Sequence, residues 1–123
     1  MAVTHALAVR QGLGDYATGT IGASGKLVYQ TAGSATVATC PFSATAFGAS
    51  NGSGVSTANA ITTDTNAAGG TIAKASLQTS GSVEKIACSV TATGGGGDIE
   101  LNSVVVSAGQ SVATTALTYT APN

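Results

Sequence analysis

Strict alternation governs one stretch of this chain, residues 71–106, and restricts what the rest can become. In 71–79, Ala73, Ala75 and Leu77 share one parity, and Lys74, Ser76 and Gln78 the other. In 83–92, Ile86, Cys88 and Val90 alternate with Lys85, Ala87 and Ser89. The turn Ser80-Gly81-Ser82 joins the two runs. Successive residues of a strand point to opposite sides, so this pattern belongs to strands with one face buried. Four glycines, 94–97, lead into a third alternating segment, 98–106. There the parity slips, with Ile99 and Leu101 in one phase and Val104 and Val106 in the other. A bulge or bend at Asn102-Ser103 accounts for the slip and lets a strand turn a corner in a sandwich.

Further strands are expected at 26–31, 36–43, 55–63 and 111–120. Pro41 marks an edge position or a strand end. Turns of small residues fall at 32–35, 64–70 and 107–110. Residues 44–54 read as a loop anchored by Phe47. The one helical candidate is 3–21, where Ala6, Val9, Leu13, Tyr16 and Thr20 recur at three- and four-residue steps. Thr4 is placed to cap it. Gly12 and Gly14 each cost about 1 kcal/mol relative to Ala, so this helix is expected to pack its stripe on the sheet. The expectation is one mainly β domain, 1–123, with 1–22 as an N-terminal arm. It is a β-sandwich or jelly roll of about seven to eight strands with a short N-terminal helical segment.

Composition sets a limit on stability. Ile, Leu, Val and Phe number 24 of 123 residues, close to the level at which chains stay disordered. Disorder also needs high net charge, and here the net charge is -1 with 7% charged residues. The chain therefore folds around a thin core. A buried Val or Leu contributes roughly 1.5–3 kcal/mol, whereas each ordered backbone residue costs about 1–2 kcal/mol. A partner or a second copy would supply the missing burial. The four basic residues, Arg10, Lys26, Lys74 and Lys85, form no stripe, which argues against nucleic acid as a partner. No apolar run reaches the length of a membrane span. The start Met1-Ala2-Val3-Thr4-His5 has no basic signal-peptide region, so synthesis in a cytoplasm is expected.

The motifs carry little chemistry. Gly48-Ala49-Ser50-Asn51-Gly52 matches the serine-hydrolase elbow, but no helix pattern follows, and the lone histidine is His5. A flexible loop is the expected reading. Ser24-Gly25-Lys26 lacks the first glycine and the final Ser/Thr of a phosphate loop. Asp64, Asp98 and Glu100 could suggest calcium, which takes six to eight oxygen ligands, but a solvated strand face is the expectation. Glu84 and Lys85 are adjacent and point to opposite faces. Residues 94–97 are read as a connection, since no helix N-terminus follows to hold an anion. Asn51-Gly52-Ser53 fits a glycosylation sequon, with nothing to indicate secretion. Cys40 and Cys88 lack CxxC partners and are expected as buried thiols, without a zinc site. No catalytic residue and no cofactor is expected.

One resemblance goes further. The chain carries, in order, Ala8-Val9-Arg10, Gly25-Lys26-Leu27-Val28-Tyr29, Ala46-Phe47-Gly48-Ala49, Thr57-Ala58-Asn59-Ala60-Ile61-Thr62 and Leu77-Gln78-Thr79-Ser80-Gly81. Val106-Ser107-Ala108-Gly109-Gln110-Ser111-Val112 completes the series. This order resembles a group of small virion proteins of tailed bacteriophages, the capsid cement or decoration proteins. The resemblance implies a structural, non-enzymatic protein on the outer capsid surface. It would bind the shell of major capsid protein and stabilise it, as a trimer or dimer, without contacting DNA directly. It names no contact residues. A tail or neck component and a carbohydrate-binding sandwich are the competing readings. The latter usually needs aromatic platforms, and this chain has no Trp and three Tyr.

Overall fold

The computed structural model describes residues 4–114 and 116–120. The chain forms α1 (Leu7–Gly19), β1 (Lys26–Gln30), β2 (Thr36–Pro41), β3 (Val55–Thr57), β4 (Gly70–Thr71) and β5 (Lys74–Gln78). It continues with β6 (Glu84–Ala92), β7 (Ile99–Leu101), β8 (Val105–Val106) and β9 (Thr118–Thr120). The protein is mainly β with one short N-terminal helix, compatible with a sandwich of nine strands.

One layer is a five-stranded sheet in the order β2-β1-β5-β6-β7. Leu27 lies opposite Cys40 and Leu77, and Tyr29 opposite Ala38 and Ala75. Leu77 and Ala75 in turn face Ile86 and Cys88. The apolar phase of the sequence is thus the core phase, because antiparallel registry brings like parities together.

The second layer is an interrupted ribbon in which 55–71 runs antiparallel to 105–120. β4 pairs with β8, Asp64 bridges to Val112, and β3 pairs with β9. The expected strand 55–63 shrinks to β3 followed by single bridges at Ala58 and Ile61. Ile61 is the one large apolar residue of 59–69, so nothing enforces a continuous pleat there. The expected strand 111–120 shortens likewise to β9, with Val112 as a bridge. Tyr29 ties the layers, sharing a hydrogen bond between its hydroxyl and that of Thr114. Phe42 and Phe47 meet at 5.6 Å, which fixes the loop that Phe47 was expected to anchor.

The corner foreseen at Asn102-Ser103 is present. β7 belongs to the five-stranded sheet and β8 to the ribbon. The run 71–79 breaks in the same way, β4 lying in the ribbon and β5 in the sheet.

β6 and β7 run parallel, Val90 facing Ile99 and Ala92 facing Leu101. Parallel neighbours usually need a crossover of about a dozen residues. Six residues suffice here because only three pairs overlap. The glycines allow the tight return. Gly94 and Gly96 have φ of +89° and +79°, and a Cβ on Gly95 would lie 2.7 Å from the Thr91 side chain.

The helix departs most from expectation. It starts at Leu7, and its N-cap is Ala6 without a side-chain cap bond, so Thr4 does not cap it. Its buried residues are Gly14 and Thr18, and the stripe Val9, Leu13 and Tyr16 points outward. Small residues permit a closer approach of backbones than the stripe does. A Cβ on Gly14 would lie 3.3 Å from the Gly54 carbonyl oxygen.

Candidate functional site

The exposed large hydrophobics concentrate on α1. Tyr16 is 77% exposed, Leu7 57%, Val9 49% and Leu13 39%. Single exposed apolar residues are ordinary on any protein. Val9, Leu13 and Tyr16 differ in following one another at four- and three-residue steps, which makes a continuous stripe. The opposite side of the helix is held by polar contacts to the loop before β3. The Ser50 hydroxyl donates to the Gln11 carbonyl at 2.9 Å, and the Ser50 N–H donates to Asp15 Oδ1 at 2.7 Å.

Ser50 thus fastens the helix. His5 is exposed ahead of α1, and no hydrogen bond joins it to Ser50 among the described residues. The loop expected to be flexible is organised further by Asn51, whose Oδ1 accepts from the N–H groups of Ser53 and Val55. Sequence reasoning missed this role of Ser50. The available signal was the small pair Gly14 and Gly54, which marks a close helix crossing.

Asp64, Asp98 and Glu100 each serve backbone amides. Asp64 accepts from Thr39 N–H through Oδ2 at 2.8 Å and from Asn66 N–H through Oδ1 at 2.9 Å. Asp98 Oδ2 accepts from the N–H and hydroxyl of Ser89. Glu100 accepts from Gly94 and Gly96 N–H, so the glycine loop is closed over a carboxylate of its own chain. Among the described residues no group of three or more His, Cys, Asp or Glu could hold a metal.

The cysteines are free thiols, Cys40 buried and Cys88 half-buried. They stand on β2 and β6, with β1 and β5 between them. Three strand spacings of about 4.8 Å put them beyond bridging distance. Burial pushes both thiols, and the Tyr29 phenol, above their usual pKa values.

Two further surfaces remain. Lys26 and Lys74 extend from the central strands β1 and β5 and donate to Ser82 and Ser34. Lys74 therefore guards no edge. Lys85 sits on β6, which β7 covers only at Val90–Ala92, leaving the first part of β6 as an open edge. The outer edge of β2 is closed by the segment 61–69, through Thr62 N–H to the Pro41 carbonyl and Ala68 N–H to the Val37 carbonyl. Finally, a cleft of about 410 Å³ lies between β7 and residues 110–116. Ile72, Ile99, Leu101, Val106 and Val112 line it, with Glu100 the one ionisable group there among the described residues.

Comparisons with models of protein families, with curated proteins and with solved structures find no match.

Proposed function

We propose that this chain is a structural protein of a tailed-phage virion, a capsid cement or decoration protein seated on the shell of major capsid protein. The observation that carries the reading is the outward stripe Val9, Leu13 and Tyr16 on a surface otherwise poor in charge. Such a stripe costs solubility unless a partner covers it. The ordered series of segments that resembles decoration proteins supports the major capsid protein as that partner. The clamp works by burying low-charge surface across subunit joints, which opposes shell expansion under packed DNA. The role needs no catalytic group and no cofactor.

The test is co-sedimentation of the purified protein with undecorated capsids. Tyr16→Ser and Leu13→Ser should weaken binding at least about tenfold, a loss of roughly 1.4 kcal/mol or more. Their dilute-limit melting temperatures should stay near that of the parent, because both side chains are outside the core. Binding that survives both substitutions would remove the stripe from the interface. No affinity for any capsid would end the reading.

A further inference from the structure

α1 is docked by its least apolar side. Its seat is built from Gly14 and Thr18, with half-buried Arg10 and Gln11, against Ser50, Gly54 and Ser56. Two polar atoms are trapped in this region. The Ser56 hydroxyl belongs to a residue with 0% exposure and has no hydrogen-bond partner among the described residues. The Arg10 Nε is buried in the same condition. Ser56 Oγ lies 3.5 Å from where a Gly14 Cβ would be, and Arg10 Cβ 3.0 Å from where a Gly54 Cβ would be. Ser56 Oγ therefore sits at the helix contact, which Arg10 enters by its Cβ. A buried polar atom without a partner regains one when water reaches it, so lifting the helix relieves the Ser56 hydroxyl.

Lifting forfeits little apolar contact, since the large apolar side chains of α1 already face solvent. What opposes it is chiefly the pair of hydrogen bonds through Ser50, one to the Asp15 carboxylate and one to the Gln11 carbonyl. The helix also has a natural pivot. Ile21 is fully buried two residues after the helix ends and anchors the chain. Gly22, at φ +73°, has open space around its missing side chain.

We propose that α1 is a latched arm. Asp15 and Ser50 hold it closed, and it lifts as a unit about residues 20–22 while the sandwich stays folded. This is local opening of an element governed by contacts separate from those of the core. It presents Val9, Leu13 and Tyr16 on an element able to change its angle. It does not depend on the capsid reading, because the isolated chain should show it.

The test is hydrogen exchange of the full chain under native conditions, read segment by segment. The α1 amides should exchange at least about tenfold faster than those of β1 and β5. Asp15→Ala and Ser50→Ala should each speed α1 further, by several-fold to tenfold, and leave β1 and β5 unchanged. Asp15→Asn retains an acceptor for the Ser50 N–H and should restore most of the protection. Ser56→Ala removes an orphan hydroxyl and should slow α1 exchange. Exchange of α1 only at the rate of global unfolding would overturn the proposal. So would latch variants that speed helix and sheet alike, or a Ser56→Ala variant whose helix exchanges faster.

Discussion

Tyr29 shows how one residue joins the two layers. Its ring lies in the core phase of β1, and its hydroxyl reaches Thr114 in the C-terminal segment. Burial raises its pKa, with the Thr114 hydrogen bond acting in the opposite sense. Burial likewise raises the pKa of Cys40 and of Cys88. The sign of the linkage follows from this. A group whose folded pKa is raised keeps its proton in the native state after the unfolded chain has lost it. Its stabilisation is complete below the unfolded value and disappears as pH rises through the folded one. The reference values are 9.0 for the thiols and 10.0 for the phenol. Stability should therefore be flat with respect to these groups up to about pH 8 and fall from about pH 9 upward. Denaturant melts from pH 7 to 11 check this, and Tyr29→Phe should reduce the steepness above pH 10. A reducing agent should barely move the melting temperature at pH 7, since the cysteines are free.

At the scale of elements, legibility depended on bulk. The runs around Leu77 and Ile86 were readable because apolar and polar side chains alternate and so mark the core phase, although Ser76 and Gln78 in the other phase of β5 are buried too, and their registry follows. The corner at Asn102-Ser103 was readable from a slip of parity alone. The ribbon was not, because residues 59–69 carry one large apolar side chain and are held by backbone bonds and by Asp64. The orientation of α1 was misread for the opposite reason. Its apolar stripe is the strongest sequence signal, yet Gly14, Thr18 and Gly54 let the other face come closer. Nor does periodicity reveal a carboxylate that satisfies edge amides. Asp64 joins the edge of β2 to the ribbon, accepting from Thr39 and Asn66 while its own backbone pairs with Val112 in both directions. Asp64→Ala would leave the half-buried Thr39 N–H unpaired and should cost about 2–3 kcal/mol. Asp64→Asn keeps an acceptor and should cost about half as much. Urea denaturation of the two variants beside the parent measures both. Equal stability of all three would show that the carboxylate is dispensable to this junction.

For the whole molecule, the question is what a thin core and an outward apolar stripe accomplish together. The core is built mainly from Ala, Ile, Val, Leu and Phe side chains around Tyr29, between a sheet and a fragmentary ribbon. Added burial from a partner is correspondingly valuable. Yet the stripe offers only a few side chains, well short of the ~800 Å² per partner of a standard interface. Pairing through α1 alone is therefore weak, and a second contact is needed for a lasting assembly. Among the described residues, the open first part of β6 offers a second set of unpaired backbone groups. Two weak contacts presented on a lattice reinforce each other through effective concentration, which free molecules in dilute solution lack. The proposed oligomer, a trimer or dimer, should accordingly be loose in solution and firm on a capsid. Calorimetry across a hundredfold dilution series should show the melting temperature of the free protein falling as it is diluted. Protein on decorated particles should melt several degrees higher than free protein, about 3–6 °C for each kcal/mol gained. Tyr16→Ser should abolish the concentration dependence and leave the dilute-limit melting temperature in place. A free chain that melts at one high temperature at every concentration, and no higher on particles, would exclude assembly as the source of its stability.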